Sequence, residues 1–99
     1  MSQNRITKAA RGRDCMVRIP GVCNGNPETT VLAHYRLAGT CGAGVKPNDL
    51  QGAWACSACH DQIDGRSEAV YTQDERRLYH AEGVFRTIDI LIREGILKM

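Results

Sequence analysis

The sequence contains no apolar run approaching the ~18 to 20 residues that a membrane-spanning helix needs. It also has no internal repeat and no low-complexity tract, so solenoid and fibrous architectures are excluded. Met1 to Arg13 is polar and basic and lacks the apolar stretch of a secretory signal. A cytoplasmic location without a membrane partner is therefore expected. In a reducing compartment the 5 cysteines make a poor disulfide framework, and an odd count leaves one unpaired in any scheme. Metal ligation is the better use for them. The net charge of +2 is too small to argue for a nucleic-acid partner by itself. Its distribution is uneven, however: residues 1–46 hold seven Lys/Arg against two acids, and residues 47–99 hold six against nine. A basic half suits a phosphate backbone, and equally suits a solvated face.

What is present centres on Cys56-Ser57-Ala58-Cys59-His60-Asp61-Gln62-Ile63-Asp64. A Cys-x-x-Cys pair is half of a tetrahedral zinc site, whose other ligands come from elsewhere in the chain. Cys15 and Cys23 flank a stretch of turn signals, Pro20-Gly21 and then Asn24-Gly25-Asn26-Pro27, that folds the chain back and lets two thiolates meet at one ion. Four thiolates, Cys15, Cys23, Cys56 and Cys59, make a closed structural site, with Cys41 or His60 as possible replacements for one of them. A Cys-x-x-Cys-His string also matches c-type haem attachment, but that chemistry calls for export and leaves the upstream cysteines unexplained.

The 99 residues suffice for a single domain with a modest core, in which a metal staple matters. Residues 1–13, with Arg5, Lys8, Arg11 and Arg13, are expected to form an extended or briefly helical basic arm. Residues 14–66 are expected to be the metal-bearing core. Thr29 to Tyr35 is β-branched and apolar and predicts a strand with His34 near its end. Arg36 to Asp49 is a Gly-rich loop, Leu50 to Ala55 a second strand, and Cys56 or Ser57 opens a helix toward Arg66. Thr72-Gln73-Asp74-Glu75 is a capping box that starts a helix over about 74–94, inside a C-terminal unit of residues 72–95 that ends at Gly95. Leu78, Ala81, Phe85, Ile88, Leu91 and Ile92 recur at helical spacing and are expected to face the core. Val84, Ile90 and Ile96 lie off that stripe and hint at a homodimer face, with a monomer as the alternative. The fold class is α+β, a ββα unit with a long helical appendage.

His60 and Asp64, four apart, share a helix face and suit a divalent ion such as Mg²⁺ or Mn²⁺. His34 at a strand end suits a general base, since imidazole accepts a proton at cellular pH. Asn48 or Asp49 can orient that imidazole or touch the ion. Arg36 and Lys46 suit the phosphates on either side of a scissile bond.

Together, Val31-Leu32-Ala33-His34, the Gly-rich loop, Lys46-Pro47-Asn48-Asp49-Leu50 and Ala55-Cys56-x-x-Cys59-His60 resemble the HNH, or ββα-metal, endonucleases. Ala9-Ala10-Arg11-Gly12-Arg13, the segment Cys15 to Asn26 and the Cys56 to Asp64 string are similar to the prophage-encoded YbcO-type nucleases. The resemblance implies an HNH-like core with a bound structural zinc, DNA as substrate and phosphodiester hydrolysis as the reaction. It implies His34 as base, Asn48 or Asp49 at the middle position of the motif, and His60 as a metal ligand joined by Asp64. Arg11 and Arg13 would add phosphate contacts, and phage or host recombination or replication proteins would be partners. Ala33 stands where many HNH enzymes carry a metal-ligating Asp or His, which leaves the ion to fewer protein ligands, to Asp49 or Asp64 in compensation, or to weak binding. The competing class is a zinc-binding module that grips DNA or protein without catalysis, which needs the cysteines but not His34, His60 or Asp64.

Overall fold

A computed structural model describes residues 2–42, 44–45 and 47–97. Helix α1 (Ser2–Ala9) is followed by a turn-rich segment, strand β1 (Val31–His34), a long loop, strand β2 (Gly52–Ala55), helix α2 (Ser57–Asp64) and helix α3 (Gln73–Arg93). The strands pair antiparallel, with Val31 opposite Ala55 and His34 opposite Gly52. Two four-residue strands are too little sheet to stand alone. They are held by what covers them.

β2 is buried throughout. Its outer edge is closed by other parts of the chain: the Met16 N–H donates to the Trp54 carbonyl (2.7 Å), and the Thr87 hydroxyl accepts the Trp54 N–H (3.0 Å) while donating to the Gly83 carbonyl (2.8 Å). No strand edge is then left for a foreign chain at Trp54. Small residues allow α3 to lie this close. A Cβ on Gly83 would stand 2.9 Å from Val17 Cγ2, 3.0 Å from Val17 Cα and 3.2 Å from the Ala53 Cβ.

Two expectations are corrected here. The N-terminal segment is helical, one of the two forms expected, but it is docked rather than a free arm: Ile6 and, just past the helix, Ala10 are buried with Met16, Trp54 and Leu91 in one core cluster. The apolar stripe expected to bury α3 is largely outside, with Leu78 58% and Phe85 72% exposed. The buried face is His80, Gly83, Val84, Thr87 and Leu91, of which the expected stripe supplied only Leu91, with Ile88 packed at its edge. Close approach at Gly83 and hydrogen bonding at His80 and Thr87 select that face, and a hydrophobicity pattern passes over those three residues. Val84, read as off-stripe, is core, and Ile90 and Ile96 pack against the Trp54 cluster.

The α3 start conforms to the sequence reading. Thr72 Oγ1 accepts the Glu75 N–H (3.1 Å), and Glu75 Oε1 accepts the Thr72 N–H (2.9 Å). Before it, the buried Gln62 side chain bonds Val70 N–H (2.8 Å) and the Glu68 carbonyl (3.0 Å), which folds the α2–α3 connection onto the core. Glycine at 83 forgoes helix propensity worth about 1 kcal/mol, and the contact it permits must outweigh that. Gly83→Ala is expected to lose about 1–2 kcal/mol net through overpacking, read as a lower urea midpoint at unchanged slope; an unchanged or higher midpoint would contradict the close packing.

Candidate metal centre and adjoining cleft

The turn-rich segment from Asp14 to Asn26 carries Cys15 and Cys23 back over the start of α2, where Cys56 is the N-cap residue and Cys59 lies in the first turn. The four sulfur atoms all lie within 4.8 Å of one another. Cys56 and Cys23 sulfurs are 3.9 Å apart, close to the ~3.8 Å separation that a tetrahedron with ~2.3 Å metal–sulfur bonds requires. None of the four is in a disulfide.

Backbone N–H groups point at the sulfurs: Arg18 to Cys15 (3.4 Å), Asn24 to Cys56 (3.5 Å) and Cys59 to Cys56 (3.4 Å). Such donors favour thiolate, the ligating form. The Cys59 thiol donates to Cys15 and pushes it down to about 4 against the opposing effect of burial. That hydrogen bond, with burial, holds Cys59 up, and burial also raises Cys23. A cluster in which Cys15 readily gives up its proton while Cys23 and Cys59 hold theirs is one a cation completes. The set can hold a metal ion such as zinc. Cys41 is outside it, on the loop with its thiol toward the Leu37 carbonyl (3.7 Å), and His60 does not join it either.

On the other side of α2 lies a cleft of about 330 Å³, lined by His34, Arg36, Asp64, Arg76, Arg77 and His80 among others. His34 closes β1, and its Nε2 is 2.7 Å from Asp49 Oδ1. Asp49 begins a single 3-10 turn just before β2, and its Oδ2 accepts the Thr7 hydroxyl of α1 (3.2 Å). A carboxylate only accepts, so Nε2 carries the proton, and in the neutral imidazole Nδ1 then holds the lone pair. His60 Nε2 and Asp64 Oδ2 are 3.1 Å apart, one helical turn along α2, and Arg66 also reaches Asp64 (3.2 Å).

Other expected site residues are placed differently. Asn48 caps the 3-10 turn, its side chain accepting the Leu50 N–H (2.9 Å), which is local turn chemistry. Arg13 is paired with Glu94 and lies over the Trp54 ring, 4.8 Å from its centroid, so its charge is spent within the fold. Arg11 is exposed beside Thr7, Lys8 and Val31. Lys46 lies outside the described residues. Among the described residues only the cysteines form a group of three or more converging ligands, so His34, His60 and Asp64 do not make one set.

Sequence reasoning overlooked His80, Arg76 and Arg77. His80 Nε2 donates to the Ala33 carbonyl (2.8 Å), and its ring packs against Tyr35 with centroids 5.1 Å apart. Burial lowers its pKa, so it is a neutral donor that braces the strand just before His34. The signal was available: Gln73, Arg76, Arg77 and His80 share one helical face by spacing alone.

A family model described as "Putative nuclease YbcO" matches residues 4–96. A relative of that description from Escherichia coli strain K12 is 57% identical over 93 residues, covering 94% of this chain and 96% of its own. One from Enterobacteria phage 82 is equally similar, with the same coverage. A solved structure described as a "putative bacteriophage protein" from E. coli K-12 superposes with a TM-score of 0.77 at 51% identity, covering 91% of this chain and 99% of that one.

Metal analysis of the purified protein is expected to find bound zinc that Cys41→Ser retains and Cys15→Ser loses, with the latter also melting at lower temperature. Equal metal content in the two variants would refute the four-cysteine assignment.

Proposed function

This chain belongs to the YbcO family, and on that premise we propose that it is a metal-dependent endonuclease that hydrolyses DNA phosphodiester bonds from an HNH-like ββα core. The observation that carries the reading is His34, held by Asp49 and lining a cleft that also presents Arg36, Arg76 and Arg77. Asp49 holds the imidazole by its Nε2–H, and Nδ1 takes a proton from the attacking water. The oxygen so formed attacks phosphorus, and the P–O bond to the leaving sugar oxygen breaks. The Asp49 charge stabilises the imidazolium that results.

His60 and Asp64 would hold a divalent ion such as Mg²⁺ or Mn²⁺. One imidazole and one carboxylate on adjacent turns fit a site that keeps most positions for water and substrate phosphate oxygens, the usual habit of Mg²⁺. When bound, the ion supplies Lewis-acid polarisation of the phosphate and stabilises the leaving oxygen. Arg36, exposed on the loop, and Lys46 contact the phosphates next to the scissile one. A structural zinc in the four-cysteine site clamps the segment from Cys15 to Cys23 onto the start of α2. Relatives in a phage and in E. coli support a prophage setting, with phage or host recombination or replication proteins as partners.

In a plasmid-nicking assay with added Mg²⁺ or Mn²⁺, His34→Ala is expected to cut at least ~100-fold more slowly than wild type, with its zinc content unchanged. Asp49→Asn, which can no longer stabilise the imidazolium, is expected to fall by a smaller factor. If wild type shows no metal-dependent nicking, or His34→Ala nicks equally fast, the mechanism is wrong and a zinc-stapled binding module takes its place.

A further inference from the structure

Some arginines of this protein are paired with acids and others are not; Arg11 and Arg18, away from the cleft, have no carboxylate partner among the described residues. Arg13, Arg66, Arg86 and Arg93 are each paired with a carboxylate. Arg36, Arg76 and Arg77, which line the cleft, have no carboxylate partner among the described residues. On α3, Glu82 and Asp89 pair with Arg86 and Arg93 further along the helix, while the guanidiniums that face this cavity have no acid paired with them among the described residues.

Two of the three are held in position by other means. Arg76 donates from Nη1 to the Gln62 carbonyl (3.2 Å) and from Nε to the Thr72 carbonyl (3.4 Å), which fixes its guanidinium and leaves Nη2 uncommitted among the described contacts. Arg77 lies over the Tyr35 ring, 4.5 Å from the centroid. A guanidinium stacked in this way keeps its edge donors free for a planar or tetrahedral oxyanion. The acid in the lining, Asp64, is already answered by His60 and Arg66.

We propose that the first two turns of α3 form a phosphate subsite, in which Arg76 and Arg77 hold the nucleic-acid backbone beside the bond addressed by His34, without reading its bases. The substrate class rests on the nuclease reading above. Sequence independence follows from how the cleft uses its aromatic ring: Tyr35 is covered by Arg77 and packed against His80, so it is not offered to a base for stacking. Donors to phosphate carry no sequence information.

Binding of fluorescein-labelled oligonucleotides, followed by anisotropy without added Mg²⁺ across a salt series, tests this. The slope of log K against log salt counts displaced counterions, about 0.7 to 0.9 per phosphate contact. Arg77→Gln is expected to reduce the slope by about one contact and Arg76→Gln/Arg77→Gln by about two. Both are expected to weaken binding equally for oligonucleotides of unrelated sequence, whereas Arg93→Gln leaves it unchanged. Arg77 makes no hydrogen bond among the described contacts, so its single variant remains informative if the double variant folds poorly. Wild-type binding with an unchanged slope in Arg77→Gln overturns the subsite and leaves the nuclease reading standing. Absence of oligonucleotide binding by wild type overturns both. Saturable binding of inorganic phosphate without oligonucleotide binding marks a small-anion pocket and also overturns the proposal. A loss confined to one oligonucleotide sequence overturns the claim that bases go unread.

Discussion

Four sulfur atoms drawn within 4.8 Å of one another are the constraint on which the other contacts rest. They join two segments that have no regular ladder between them, a run of turns around Cys15 and Cys23 and the first turn of α2. The turns carry Met16 and Val17 with them, which close the edge of β2 and seat Gly83 of α3. Four like-charged thiolates this close would repel, and the hydrogen bond between Cys59 and Cys15, which lowers Cys15 and raises Cys59, favours keeping some of the sulfurs protonated. A bound cation resolves the repulsion completely, and burial then becomes an advantage because the low dielectric strengthens the attraction.

The same helix that completes the cluster separates two kinds of chemistry. Cys56 and Cys59 face the turns, while Asp64, a turn and a half further along, lines the cleft. The sulfur cluster and one wall of the cleft thus share one rigid element, which fixes the cleft lining relative to the cluster. α3 closes the cleft from the opposite side and braces β1 through His80 and the Ala33 carbonyl.

Legibility in the sequence followed the range of the interaction. The Cys-x-x-Cys pair, the capping box at Thr72, both strands and the start of α2 depend on neighbours a few residues away, and they could be read directly. Cys15 and Cys23 could be added because an ion needs four ligands. The pairing of His34 with Asp49 was anticipated only as one of two choices, since Asn48 and Asp49 are chemically close and the 3-10 turn decides which of them points inward. The face of α3 was misread because contact with a flat, alanine-lined strand rewards Gly83 and Thr87 over Leu78 and Phe85, and nothing local to α3 reveals what it packs on. Arg13 was misjudged for the same reason: its partners, Glu94 and Trp54, are distant in sequence.

The cluster of Ile6, Ala10, Met16, Trp54 and Leu91 takes its members from the beginning, the middle and the far end of the chain. During synthesis α1 can pack on Met16 and Trp54 before Leu91 emerges, whereas the sulfur cluster gains its fourth member only with Cys59. A fragment ending before α3 lacks Val84 and Leu91 and so owns neither core in finished form, which gives the nascent chain little to gain from folding in instalments.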